Sequence, residues 1–188
     1  SNVKEEFIKH LITEIKKAYT ENPHLSPDYC RIINKKNWLR LTSLLEDQNL
    51  IYGGDKDEDD CYLAPTLVNQ PHLNSTLMKE EIFGPILPIL TYDTFEDLKK
   101  IILPLPKPLA LDVFTENPNL RERCIHQFSY GGGCINDSII HFGNHRLPFG
   151  GVGNSGIGAY RGKKSFLTFS HQKAIVKRKN WLDIPFRY

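Results

Sequence analysis

The 188-residue sequence predicts an α/β fold: a mostly parallel sheet with helices on both faces, a glycine-rich loop and an extended C-terminal strand. Three observations carry this expectation. Short apolar runs alternate with stretches of helical periodicity that open on capping residues, the pattern of crossover connections. Ten of the 13 glycines fall between Gly131 and Gly162, so that segment is governed by its backbone. Beyond it, Phe166 to Arg178 reads as extended chain, with Ala174-Ile175-Val176 as its one apolar knot in a basic setting.

Taken in order, Phe7, Leu11, Ile15 and Ala18 recur at helical spacing and predict a helix from about Val3 to Tyr19. Asn2 with Glu5 supplies a cap and Glu21-Asn22-Pro23 a stop. A second helix starts at Asn34, buries Trp38, Leu41, Leu44 and Leu45, and ends near Asp47. Strand-like runs follow at Leu50 to Tyr52, Tyr62 to Val68, Ile86 to Tyr92, Leu109 to Thr115 and Gly133 to Ile135. Between them, Thr94 with Asp97 at capping-box spacing opens one helix, and Asn117 with Pro118 at the first helical position opens another.

Composition excludes several classes. Hydrophobic residues at 40% and charged residues at 24% match ordinary globular domains, and a domain of this length buries roughly 70% of its extended-chain surface. A net charge of +2 gives no argument for a polyanionic partner. Neither the acidic run at 55–60 nor the basic stretch from Arg161 interleaves aromatics in a way that suggests base stacking, so no nucleic acid is expected. No run approaches the roughly 18 apolar residues of a membrane span. The four cysteines, at 30, 61, 124 and 134, form no C-x-x-C unit. Reduced thiols and a cytoplasmic location are the expectation.

Several motifs fail on context. Gly151-Val152-Gly153-Asn154-Ser155-Gly156 fits a dinucleotide fingerprint, but Leu147-Pro148-Phe149-Gly150 precedes it instead of a strand. It reads as a tight glycine turn packed on other backbone. Asp55, Asp57 and Asp59 alternate like a calcium loop, yet Asp60 stands where glycine is needed and Thr66 where glutamate is. His141 and His145 have zinc-helix spacing, but Gly143 lies between them and no glutamate follows His141. No metal site is expected. Cys134 reads as a small apolar strand residue, with His141 able to lie nearby.

The segment Lys79-Glu80-Glu81-Ile82-Phe83-Gly84-Pro85 is an acidic turn entering a buried strand. One carboxylate there can accept both hydroxyls of a sugar diol, and the aromatic two residues on can pack a flat ring.

Three landmarks, Glu80 to Pro85, Leu147 to Gly158 and Phe169-Ser170-His171, resemble those of aldehyde dehydrogenases in wording, order and spacing. The resemblance covers essentially the whole chain. Tyr160-Arg161-Gly162-Lys163 with Phe166 and Phe169 is most similar to the class-three branch, which handles fatty and aromatic aldehydes. The resemblance implies that residues 1–188 form one C-terminal catalytic domain, with 163–188 an oligomerisation strand and tail. It implies that Glu81 binds the nicotinamide ribose of NAD or NADP and that Phe83 supports the nicotinamide. The small-molecule partner is an aldehyde, and the expected assembly is a homodimer.

Such enzymes use a cysteine in a Gly-Gln-x-Cys setting, a general-base glutamate and a dinucleotide-binding domain. None of the four cysteines has that neighbourhood, and Cys30 stands where relatives often carry glycine. No catalytic residue is therefore expected within this chain. The nucleophile, the base and the N-terminal dinucleotide-binding domain are expected upstream, and the 188 residues alone are expected to be inactive. Two other readings are a non-catalytic oligomerisation module and a relative that passes its acyl group to coenzyme A.

Overall fold

The computed structural model describes residues 3–179, which divide into two compact units, Ser1–Leu105 and Pro106–Tyr188. In the first unit, helix α1 (Lys4–Tyr19) precedes α2 (Lys35–Ser43), and β1 (Leu50–Tyr52) follows. Strands β2 (Lys56–Asp57) and β3 (Tyr62–Leu63) form a small antiparallel pair. Strand β4 (Thr66–Asn69), the short helix α3 (Thr76–Lys79), β5 (Ile86–Ile89) and α4 (Phe95–Ile102) complete the unit.

The main sheet has the order β1-β4-β5. It is mixed: β4 and β5 run parallel through four registered pairs from Thr66↔Ile86 to Asn69↔Ile89, and β1 pairs with β4 antiparallel. Helices cover both faces, and β4 shows why. Side chains alternate across a strand, so Leu67 joins Ile8 and Ile89 under α1, with Leu11, Ile12 and Ile15 packed alongside. Val68 points the other way, into Leu41, Leu44, Leu63, Leu77 and Ile86 beneath α2 and α3. Two polar side chains beside this second core find backbone partners: Trp38 Nε1 donates to the Tyr62 carbonyl (2.7 Å) and the Tyr29 hydroxyl to the Leu63 carbonyl (2.7 Å). Burial pushes the Tyr29 phenol well above its ordinary range.

At the surface, Asp60 accepts from Arg31 Nε (2.6 Å) and pairs with His24 Nε2 (2.9 Å). The hydrogen bond from Arg31, then that from His24, holds its carboxyl below the usual range.

The predicted elements recur with instructive changes. Asn34 caps α2 by accepting the Asn37 N–H (2.9 Å), and Thr94 and Asp97 close a reciprocal capping box on α4. The N-cap of α1 is Val3, without a side-chain hydrogen bond; the proposed cap Asn2 lies outside the described residues. Helix α2 stops at Ser43, and turns occupy the stretch to Asp47. The Tyr62–Val68 run is two strands instead of one, because Pro65 lacks an N–H for a ladder.

In the second unit, the 109–113 and 131–136 segments run parallel, joined by α5 (Pro118–Gln127), which Asn117 caps through the Asn119 and Leu120 N–H groups. Only isolated bridges form, at Ala110↔Gly132 and Val113↔Ile135. After α6 (Ile140–Gly143), the Gly151 turn folds tightly: a Cβ at Gly151 would lie 2.1 Å from the Ser155 carbonyl oxygen.

The extended reading of Phe166 to Arg178 is corrected at its start. Helix α7 (Gly162–Thr168) includes Phe166, because Ser165 Oγ accepts the Arg161 N–H (2.6 Å) and fixes the first turn. Residues 171–179 carry no regular structure, and 180–188 of the expected 163–188 strand and tail lie outside the described residues. No helix among the described residues is long and apolar enough to cross a membrane.

Leu41 is fully buried and Leu39 on the same helix is 54% exposed. Leu41→Ala should therefore cost about 2–5 kcal/mol, and Leu39→Ala should stay within about 0.5 kcal/mol. Denaturant midpoints check this; equal effects at the two positions would contradict the core assignment.

Candidate cofactor-binding turn

The Glu80–Pro85 turn leaves α3 and enters β5, and neighbouring residues of α2 hold it. Arg40 Nη1 donates to Glu80 Oε1 (2.5 Å), and Nη2 donates to the Ile82 carbonyl (2.6 Å), with a weaker contact from Nη1 to the Glu81 carbonyl (3.5 Å). Leu41 lies under Gly84: a Cβ there would sit 2.5 Å from Leu41 Cδ2, so only glycine lets the backbone rest on that side chain. Ile82 packs against the Leu41 core, and the Thr66 N–H donates to the Pro85 carbonyl (2.8 Å), so the turn is continuous with the parallel pairing of β4 and β5.

This pinning sorts the side chains. Glu80 and Ile82 are engaged, whereas Glu81 is exposed and Phe83 is 80% exposed. No ion pair engages the Glu81 carboxylate among the described residues. Phe83 has φ +44°, the left-handed region that a bulky side chain adopts only where its surroundings impose it. Its ring lines a shallow cavity of about 310 Å³ with Arg31, Ile32, Ile33 and Asn37. The pinned turn thus leaves an exposed carboxylate and an exposed ring two residues apart.

Both predicted residues fall on this one turn. Arg40 was missed, since a helix-face arginine carries no sign that it will reach across to residue 80. Cys134 is buried, and His141 stands beside it, with Nδ1 3.2 Å from Sγ. His141 and His145 do not form a helical pair, since α6 ends at Gly143.

Comparison with known proteins places the chain. The model of the aldehyde dehydrogenase family matches residues 1–175. The 4,4'-diaponeurosporen-aldehyde dehydrogenase of Staphylococcus aureus is 46% identical over 184 residues, 97% of this chain and 40% of that protein. Aldehyde dehydrogenase family 3 member H1 of Arabidopsis thaliana is 45% identical across 93% of this chain and 37% of its own. The substrate-bound structure of Staphylococcus aureus AldH superposes with a TM-score of 0.88 at 46% identity, covering 98% of this chain and 41% of that one. The Mycobacterium tuberculosis aldehyde dehydrogenase complexed with NAD+ superposes with a TM-score of 0.78 at 25% identity, covering 97% and 39%.

The protein belongs to the aldehyde dehydrogenase family. The chain spans about 40% of the length of these relatives.

Because Phe83 is exposed and left-handed, replacing it tests the backbone separately from the ring. Phe83→Gly should be more stable than Phe83→Ala, by up to about 1 kcal/mol, as glycine relieves the strain. Chemical denaturation of the pair checks this, and the reverse order would show that the turn is unstrained.

Proposed function

We propose that this chain is the C-terminal part of the catalytic region of an NAD(P)-dependent aldehyde dehydrogenase, which oxidises aliphatic or aromatic aldehydes to carboxylic acids. The observation that carries the reading is the pinned turn, with Glu81 and Phe83 outside the core and Arg40 committed to Glu80. Support also comes from relatives: one is named for a diaponeurosporen aldehyde, a Bos taurus relative 40% identical over 177 residues is called dimeric and NADP-preferring, and the mycobacterial structure holds NAD+. Likeness to family 3 members favours the class-three branch. On this reading both compact units belong to one catalytic domain, and the protein pairs as a homodimer.

The cofactor, when bound, accepts hydride. This chain's contribution is orientation. The two Glu81 oxygens accept the paired ribose hydroxyls, an ionised acceptor giving the stronger class of hydrogen bond and a fixed rotation of the sugar. The Phe83 ring supports the nicotinamide plane by apolar contact. Arg40 keeps its charge on Glu80 and on the Ile82 carbonyl, so it does not compete for Glu81. The attacking thiolate and the general base belong to residues outside this chain, and the 188 residues alone are inactive.

In the naturally produced protein, Glu81→Gln should raise KM for NAD(P) by about 10–100-fold, the equivalent of losing hydrogen bonds to a charged group. KM for the aldehyde should hold within a few-fold. Steady-state kinetics with the cofactor varied provide the check, along with assay of the purified 188-residue chain, which should show no turnover. An unchanged cofactor KM, or aldehyde oxidation by the short chain, would refute the proposal.

A further inference from the structure

The second unit contains a convergence of side chains that the proposed function does not use. Between the parallel 109–113 and 131–136 segments, the Leu111 N–H donates to the Gly132 carbonyl (3.0 Å) and the Val113 N–H to the Cys134 carbonyl (2.9 Å). A regular parallel ladder would next send the Cys134 N–H to the Leu111 carbonyl. Instead it donates to Asp112 Oδ1 at 2.8 Å. The ladder is broken at one residue, and a carboxylate oxygen is held in the gap.

His141 completes the group. Ile139, a β-branched residue at φ +64°, turns the chain into α6. The imidazole then returns to Cys134, with Nδ1 3.2 Å from Sγ and 3.9 Å from Asp112 Oδ1. The three donor atoms lie within 4.8 Å of one another, the one such set of three among the described residues. Cys134 is buried, while the His141 and Asp112 side chains keep 13% and 24% exposure, which leaves access for solvent.

The reading of this group as a nucleophilic triad fails on geometry. In a nucleophilic triad the carboxylate orients the imidazole through the nitrogen opposite the nucleophile; here sulfur and carboxylate face the same nitrogen. That nitrogen stands within hydrogen-bond distance of the sulfur, whereas 3.9 Å to the carboxylate is too long for a hydrogen bond. A cation at the centre satisfies all three. Tetrahedral zinc, with bonds of about 2.3 Å to sulfur and about 2.0–2.1 Å to nitrogen and oxygen, sets ligand atoms about 3.4–3.6 Å apart. The observed Sγ–Nδ1 and Nδ1–Oδ1 distances of 3.2 and 3.9 Å each lie within about 0.6 Å of such a separation.

We propose that Asp112 Oδ1, Cys134 Sγ and His141 Nδ1 form a binding site for a thiophilic divalent cation of the zinc type, with water as fourth ligand. On binding, the Cys134 S–H bond breaks, a sulfur–metal bond forms, and the proton leaves to solvent; nothing is oxidised or reduced. Thiolate and carboxylate together balance the dication. The Cys134 N–H is the outer partner that aims the carboxylate, as such partners do for metal ligands generally. One thiolate, one imidazole and one carboxylate favour zinc, cobalt or cadmium over magnesium or calcium, which take oxygen ligands.

The test uses the purified protein in its natural length and Co2+ as probe. Wild type should bind cobalt with a thiolate-to-metal charge-transfer band. Cys134→Ser should lose that band, and His141→Asn should weaken cobalt binding by more than about tenfold, the loss that even outer partners of a ligand produce. Cys30→Ser and Cys61→Ser should leave it unchanged. A Cys134→Ser variant that takes up as much cobalt, with an equal band, overturns the proposal. Should that variant not fold, anomalous diffraction at the zinc edge from zinc-soaked wild-type crystals decides. A peak between the three atoms is expected, and a map without density there contradicts the site.

Discussion

Two adjacent residues of one helix, Arg40 and Leu41, hold the candidate cofactor turn. Arg40 grips it from the polar side, through the Glu80 carboxylate and the Ile82 carbonyl. Leu41 supports it from the apolar side, beneath Gly84. The grip alone would be weak, since an ion pair with side chains 32% and 38% exposed is largely screened. The seat supplies the stability: Leu41 is part of the core that fixes α2 against β4 and β5. The polar contact then selects which way each residue of the turn faces.

The sheet explains why this turn is the place for rigidity. Strand β4 is buried on both faces, and its parallel partner β5 begins where the turn ends. The Thr66–Pro85 hydrogen bond carries the ladder pattern back into the turn, so the strain at Phe83 is borne by neighbours that are themselves locked. A binding residue placed on a braced turn loses little freedom when a ligand arrives, and preorganisation of this kind is a main source of affinity.

Much of this was legible in the sequence where a single local rule applied. Asn34, Thr94 and Asn117 announced their helices because a capping side chain acts within three residues. Glu81 and Phe83 stand in the motif that carries the family resemblance, and both are exposed. What escaped depended on distant partners. The Leu109–Thr115 run has strand composition, yet Asp112 diverts the Cys134 amide and reduces the pairing to bridges. The Phe166–Arg178 stretch has the sparse apolar spacing of extended chain, whereas Ser165 fixes a helical turn through Arg161. Asp112, Cys134 and His141 have no spacing that marks a ligand set; the βα crossover and a left-handed Ile139 bring them together.

On the proposed reading, the pinned turn presents Phe83 to a nicotinamide ring. Nuclear Overhauser effects between the nicotinamide protons of bound NAD+ and specifically labelled phenylalanine rings test it most directly, in the protein as naturally produced. Cross-peaks to Phe83 that vanish in Phe83→Leu are predicted. Nicotinamide contacts confined to other rings, with Phe83 silent, would show that the turn does not hold the nicotinamide.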